Sequence, residues 1–423
     1  MLKAEGPGPQ AIIECVTVST RPYHSTAQPM RRPSSFRLSP SAVRIPIFPF
    51  VVLVLLLTSG AARSMDQIVL KREGQEIHAE GRLLVQAKDG GVALLGRDGV
   101  IWIAEAKDLI QQTHDDPPFA PYDAKSLAPR VLAELPRGFA YLTRPHYVVC
   151  YNTSREYAQW CGSLFEALYK AFETFWKNQG FKLSEPEFPL VAVVFADQRS
   201  YSAYAAPDLG GAAASIIGYY SLRSNRMTAY DLTGTEALSQ FHKRRGSMAA
   251  EINQILSHPE GERTAATIVH EATHQIAFNC GLHNRFSDCP RWFSEGIAMY
   301  FETLDLRYSR GWGTIGNVNR VRLGDFHTYL RRRPADSLRT LLTDDRRFSD
   351  AEKSIDAYAE AWTLTYFLLR QHRKQYVEYL KTLCAKPVMI WDTPEKRLQE
   401  FTQAFGDLKK LDTEFVRYVQ RTL

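Results

Sequence analysis

The sequence predicts an α+β protein in which a small all-β module precedes a larger domain with a mixed sheet and a helical C-terminal part. Residues 65–112 contain short apolar runs separated by turn residues, and residues 147–195 follow a strand–helix–strand pattern. The chain from about residue 262 onward has mostly helical periodicity. Of its 423 residues, 45% are hydrophobic and 23% are charged, which excludes a disordered, collagenous or coiled-coil protein.

The charge distribution argues against a nucleic-acid partner. The formal net charge is +6, but residues 1–62 carry six basic and two acidic residues, which leaves 46 basic and 44 acidic residues downstream. The short basic clusters downstream have acidic residues nearby, so they are interpreted as solvated surface.

Residues 1–62 are predicted to be a secretory signal peptide. A basic segment precedes a 13-residue apolar run at residues 45–57, and small residues follow at 58–62. The run is short for a membrane span, which needs about 20 apolar residues, although an uncleaved membrane anchor is the alternative. Because the N-terminal extension is over-long, Met30 is a candidate true start. The mature protein is therefore expected in the periplasm, the cell envelope or the extracellular space.

Residues 65–112 are predicted to form the small β-module. Its three apolar runs are separated by segments with Asp-Gly steps, which are typical of hairpins, and they lie at residues 82–87, 92–95 and 100–103. Five prolines between residues 113 and 136 predict a stiff, extended linker.

The larger domain is predicted to span residues 137–423. A capping pattern at residues 153–156 precedes a long stripe of apolar residues with helical spacing. Strands are predicted before and after this helix, at residues 147–151, 190–195, 216–220 and 227–230.

The motif H-E-x-x-H, from His270 to His274, predicts a zinc site. Residues four apart on a helix lie on one face, so both imidazoles can reach one metal ion. Glu271 lies about 100° around the helix and can therefore stand beside a metal-bound water without ligating the metal. Apolar neighbours predict that this helix is buried, and a buried charge needs a partner such as zinc.

A second helix is predicted to supply another ligand. Glu295, Met299 and Glu302 have the spacing of one helix face, and Gly296 would let two helices approach closely. A carboxylate from this helix would complete a His–His–Glu set and leave the fourth zinc position for water, as in catalytic sites.

These residues resemble those of the gluzincin metallopeptidases, in which H-E-x-x-H is followed about twenty residues later by W-x-x-E-G-x-A, here residues 292–298. The chain is more closely similar to the bacterial secreted peptidase MA-like proteins of the DUF1570 type. These share the strand–helix–strand lead-in and a later A-Y-A-x-A-W helix, here residues 357–362. The resemblance covers residues 145–423 and implies a zincin-like domain, but it implies no particular substrate.

The resemblance also implies a role for each site residue. One Zn²⁺ per chain would be bound by His270, His274 and Glu295, with Glu271 as the general base. Glu302 would support a ligand histidine, and a phenol at Tyr358 would stabilise the tetrahedral intermediate. The alternatives are that Glu302 is a surface glutamate at the end of its helix and that Tyr358 is an ordinary core tyrosine. The G-x-M-E-N element of the aminopeptidase branch is absent from this sequence, so aminopeptidase activity is not expected.

Five cysteines follow residue 62, which is too few for a disulfide-dense scaffold. Cys280 and Cys289 bracket a short loop and are the best candidates for a disulfide. The alternative is that all five are small buried apolar residues.

Taken together, the sequence predicts an exported zinc-dependent metallopeptidase that acts on a peptide or protein substrate. It predicts no nucleic-acid partner, and membrane contact only if the N-terminal apolar segment is uncleaved. The alternative is a non-catalytic cell-envelope binding or scaffold protein with a structural or relic zinc site. The β-module, to which the sequence assigns no chemistry, is the feature that favours this alternative.

Overall fold

The computed structural model of the chain describes residues 64–72, 74–231, 233, 259–303, 315–350 and 352–423. The predicted signal peptide lies outside these residues. Among the helices that are described, none combines the length and the apolar composition needed to cross a bilayer.

The N-terminal module is a five-stranded antiparallel sheet with the strand order β4-β3-β2-β1-β5. Its strands are β1 (Ser64–Arg72), β2 (Gln75–Gln86), β3 (Val92–Gly96), β4 (Ile101–Ala104) and β5 (Leu109–Pro118). The predicted apolar runs correspond to β2, β3 and β4. Strands β1 and β5 do not stand out in the sequence. The side chains of β5 are mostly polar and exposed, and the two strands are far apart in the chain although Gln67 lies opposite Thr113 in the sheet.

The prediction of a stiff, extended linker over residues 113–136 is wrong. Strand β5 continues to Pro118, and helix α1 (Ala124–Glu134) occupies most of the remainder. The Asp123 side chain accepts a hydrogen bond from the Ser126 backbone nitrogen at 2.7 Å and so caps this helix. Leu127 and Val131 are fully buried. Burial of this apolar face stabilises the helix although Pro129 lies inside it.

The second sheet is mixed, as predicted, with the order β6-β7-β8-β10-β9. Strands β7, β8 and β10 are parallel, and the edge strands β6 and β9 are antiparallel to their neighbours. The strands are β6 (Ala140–Thr143), β7 (Tyr147–Tyr151), β8 (Leu190–Phe195), β9 (Gly218–Ser221) and β10 (Arg226–Tyr230). Strand β8 is buried along its whole length, which explains why its sequence is apolar without alternation.

Helices cover this sheet and build the C-terminal part. Along the chain, helix α2 (Arg155–Asn178) follows β7 and helix α3 (Gln198–Leu209) follows β8. Helix α4 (Pro259–Asn279) comes after β10. The cap of α2 lies one residue later than the pattern at residues 153–156 predicts, because the Ser154 hydroxyl accepts from the Tyr157 backbone nitrogen at 3.2 Å, whereas the Thr153 hydroxyl donates to Asp231. The C-terminal helices are α5 (Arg291–Phe301), α6 (Arg320–Leu330), α7 (Ser337–Thr343), α8 (Ser354–Gln371), α9 (Arg373–Cys384), α10 (Pro394–Phe405) and α11 (Leu408–Thr422). The predicted α+β class is therefore confirmed.

Helix α8 lies at the centre of the C-terminal helices, and nearly all of its side chains are buried. Its Glu360 is fully buried and accepts from Arg333 at 2.7 Å, from Arg347 at 2.9 Å and from the Ser337 hydroxyl at 2.7 Å. Because a buried carboxylate is stable only when it is paired, this cluster orients α8 toward the helices around it.

Gly296 lies where α5 crosses α8. A Cβ atom at this position would collide with the Thr365 hydroxyl and would lie 2.9 Å from the Ala361 carbonyl oxygen. The predicted close approach of two helices at Gly296 is therefore confirmed, with α8 as the partner of α5.

Gly296→Ala should lower the free energy of unfolding by about 1–3 kcal/mol, because the Ala361 carbonyl belongs to the backbone and cannot rotate away. The measurement is urea or thermal unfolding. Gly324→Ala is the matched control, since Gly324 is at an exposed position of helix α6 and a Cβ there meets nothing within 4 Å. It should be neutral or stabilising by about 0.4–1 kcal/mol. Equal stability of the two variants would contradict the close contact of α5 and α8.

Candidate metal centre

Helix α4 carries three of the predicted site residues into the interior. His270, Glu271 and His274 are each at most 1% exposed. Helix α5 packs beside α4 and brings Glu295, which is fully buried, to the two histidines. The helical spacing of the motif and the crossing of the two helices together place the residues in one site.

The three predicted ligands converge on one point. His270 Nε2 lies 3.1 Å from His274 Nε2 and 3.1 Å from Glu295 Oε2. His274 Nε2 lies 3.6 Å from the same carboxylate oxygen. Zinc bonds of about 2.0–2.2 Å in tetrahedral geometry place ligand atoms about 3.3–3.5 Å apart. The observed separations therefore match what one small ion requires.

The charges at the site also fit a cation. His270 Nδ1 lies 2.7 Å from Glu302 Oε1, and because a carboxylate only accepts, Nδ1 must carry the proton. In the neutral ring the lone pair of Nε2 then points at His274 and Glu295. Around a metal ion all three atoms would present lone pairs, and without one a proton must lie between them.

The pKa shifts show the same demand for positive charge. Burial by itself would lower the pKa of His270, but its hydrogen bonds to Glu295 and Glu302 raise that pKa to about 10. Burial would raise the pKa of Glu295, but the two histidines hold it below its ordinary value. Without a metal, a proton on His270 would supply the positive charge, and a metal ion would replace that proton.

Glu302 is placed where the resemblance implied. Besides its bond to His270, the carboxylate accepts from Asn319 Nδ2 at 3.1 Å and lies 3.8 Å from Arg322 Nη2. Asn319 caps helix α6 and Arg322 lies in its first turn. The Glu302 side chain is 11% exposed, and it connects His270 to a third helix.

The Glu271 carboxylate also reaches strand β9. Its Oε2 accepts a hydrogen bond from the Tyr220 backbone nitrogen at 3.0 Å. Gln275 and Asn279 follow Glu271 at intervals of four residues and also bond to the β9–β10 hairpin, mainly through Asn225. One face of α4 thus presents the histidines, and an adjacent polar stripe holds the hairpin.

Tyr358 lies at the site on helix α8 and is 4% exposed. Its ring packs at a right angle to Phe348, with centroids 5.2 Å apart, and the Arg322 guanidinium lies 5.6 Å from its centroid. Burial, with the nearby carboxylates of Glu295 and Glu271, raises the pKa of this phenol. The hydroxyl therefore stays protonated and able to donate near neutral pH.

Sequence reasoning missed several residues around the site. Arg291 lies 3.6 Å from Glu295 Oε1. His283 is buried between Phe278 and Phe293, and burial together with His274 lowers its pKa to about 3. Two spacings carried a signal in the sequence, because residues four apart lie on one helix face. They are those of Glu271, Gln275 and Asn279 on α4 and of Arg291 and Glu295 on α5. His283 carried none, because it lies in the loop after α4.

The predicted disulfide between Cys280 and Cys289 is not formed, since Cys280 is a free thiol. Cys280 lies against Tyr169 of α2, and burial raises the pKa of its thiol to about 12. Cys289 lies toward Tyr376 and Tyr379 of α9. The two side chains therefore face different helices.

The loop between α4 and α5 is held instead by ion pairs. Asp288 in this loop is 1% exposed and accepts from Arg397 at 2.5 Å and from Lys386 at 3.1 Å. These contacts attach the loop to the C-terminal helices without a covalent bond.

The fold and the site define an α+β protein with a buried candidate metal centre of two histidines and one glutamate, and in the described residues these three form one group. Residues 264–389 match the model of a family described as "Protein of unknown function (DUF1570)". The matched span contains all three candidate ligands, Glu271 and Tyr358, and it supports the resemblance to DUF1570 proteins. No curated protein matches the chain.

Glu302→Gln should lower zinc affinity by about 10–100-fold, because an amide accepts the His270 Nδ1–H more weakly than a carboxylate does. The measurement is a competition titration with a chromophoric zinc chelator. Glu166→Gln is the matched control, because Glu166 accepts from His146 Nδ1 at 2.8 Å in another part of the domain. Equal zinc affinity in the wild type, Glu302→Gln and Glu166→Gln would show that Glu302 does not support a metal ligand.

Proposed function

We propose that this chain is an exported zinc-dependent metallopeptidase with a zincin-like domain that hydrolyses peptide or protein substrates. The observation that carries the proposal is the convergence of His270, His274 and Glu295 on one buried point. Three protein ligands leave a fourth position for water or substrate, which is the pattern of catalytic zinc sites and differs from closed structural sites. Export rests on the signal-like segment of the sequence.

Zinc, when bound by these three residues, would lower the pKa of a water molecule and polarise the scissile carbonyl. Glu271 lies on the same turn of α4 as the ligands and is the carboxylate that would take the proton of that water and pass it to the leaving amine. The Tyr220 N–H holds one of its oxygens at 3.0 Å, which fixes the orientation of the carboxylate.

Tyr358 would stabilise the negative charge that develops on the scissile carbonyl oxygen. Its hydroxyl is protonated and lies close enough to Glu295 and Glu271 for their charges to raise its pKa. A phenol in this position can donate a hydrogen bond to the oxyanion that develops from the scissile carbonyl.

The first test is the zinc content of the purified chain, measured by inductively coupled plasma mass spectrometry. We expect about one zinc per chain, lost in the His270→Ala, His274→Ala double variant, with a higher unfolding temperature for the zinc-loaded wild type. A folded wild-type chain that takes up no zinc when offered the metal would exclude the peptidase proposal.

Glu271→Gln should keep the zinc and lower peptide hydrolysis by about 100-fold to 10,000-fold, because the amide cannot accept the proton. The measurement is mass spectrometry of a complex peptide mixture incubated with each protein, and Glu166→Gln is again the control. Hydrolysis at the wild-type rate in Glu271→Gln would exclude this mechanism. A zinc-loaded wild type that cleaves no peptide in the mixture would favour the non-catalytic envelope protein.

A further inference from the structure

The β-module packs against the hairpin of β9 and β10. Ile101 at the start of β4 donates its backbone N–H to the Arg223 carbonyl in the hairpin turn at 2.8 Å. Gly99 has a positive φ of 82°, and a Cβ there would lie 3.3 Å from the Asn225 side-chain nitrogen. Ile101 and Phe188 belong to one small apolar cluster. The module and the hairpin turn (residues 222–225) are therefore in direct contact.

Arg285 is buried at this junction and is 6% exposed. Its Nε and Nη2 donate to the Leu222 carbonyl at 3.1 Å and 2.7 Å, and Nη2 also donates to the Gly99 carbonyl at 2.9 Å. Arg285 itself lies in the loop between α4 and α5. One guanidinium thus joins this loop, the hairpin turn and the module, using the fixed fork geometry that only arginine has.

Helix α4 contacts the same hairpin with its polar stripe. Tyr220 donates its backbone N–H to Glu271, and Gln275 Nε2 donates to the Asn225 carbonyl at 3.0 Å. Among the strands that the structure describes, β9 is at an edge of its sheet and pairs only with β10. The position of β9 therefore depends on β10, on α4 and on the junction that Arg285 closes.

We propose that Arg285 is a positioning residue that makes the β-module a brace for the β9–β10 hairpin and thereby keeps the Tyr220 N–H on the Glu271 carboxylate. This inference rests on the proposed function in one respect, namely that Glu271 is the base whose orientation matters. It gives the β-module a role within the metal domain, in contrast to a separate binding domain.

The test is hydrogen–deuterium exchange, followed by mass spectrometry with fragmentation to resolve the Tyr220 amide, on the full chain after it has been offered zinc. Arg285→Met should raise exchange at this amide and in the hairpin turn by about tenfold or more, because two buried carbonyls lose their donor. Zinc content should stay at the wild-type level, since none of the three ligands lies on the hairpin. Arg285→Lys should restore part of the protection, because an ammonium donates without the fork.

Arg82→Met is the matched control. Arg82 also joins the module to the larger domain, through a two-bond ion pair with Glu187 at 2.7 Å and 2.9 Å, but it does not touch the hairpin. Hairpin exchange should therefore stay at the wild-type rate in this variant. Unchanged exchange in Arg285→Met, or an equal rise in Arg82→Met, would overturn the proposal.

Gly99→Ala tests the same junction from the module side if Arg285→Met does not fold. It should raise exchange in the hairpin turn, because a Cβ at positive φ pushes against Asn225 and Phe188; wild-type exchange there would overturn the brace. Amide exchange is measured without any substrate. If the wild-type chain takes up no zinc, the proposed function is therefore excluded. The exchange rates at the Tyr220 amide and in the hairpin turn still decide whether Arg285 braces the hairpin.

Discussion

Two imidazole nitrogens and one carboxylate oxygen face one another at 3.1 to 3.6 Å in the interior of the chain, and the surrounding structure depends on this arrangement. These three atoms can lie this close only with a proton or a cation between them. The raised pKa of His270 means that this histidine holds a proton tightly when no metal is bound. A divalent cation could replace that proton, which makes the group a candidate metal centre.

The arrangement requires two helices to meet closely and to stay in place. Gly296 removes the side chain that would separate α5 from α8, and buried Glu360 is paired so that α8 is oriented. The loop after α4 is held at two points. Asp288 pairs with Arg397 of the C-terminal helices, and Arg285 donates to the Gly99 carbonyl of the module. The residues of the candidate site therefore lie on packed helices, and hydrogen bonds and ion pairs hold the loop that joins two of these helices. A preorganised site needs such support.

Local patterns were read correctly where one segment decides its own structure. The apolar run at residues 190–195 is strand β8, and the apolar stripe with helical spacing is helix α2. Predictions failed where distant segments compete with local propensity. The prolines of residues 113–136 predict a linker, yet β5 is stabilised by pairing with β1 and α1 by burying Leu127 and Val131. The disulfide prediction failed because a short separation in sequence does not decide which way two side chains point.

The sequence by itself determined the α+β class and pointed to the residues of the candidate metal centre, because a four-residue interval on a helix is a local geometric fact. It also indicated Glu295 through the periodicity of a second helix. Only the tertiary structure decided that Glu302 binds His270, that Tyr220 holds Glu271, and that Arg285 joins the module to the hairpin. These contacts span 32, 51 and 186 residues. No periodicity within one segment encodes them, since they arise from how whole helices and sheets pack.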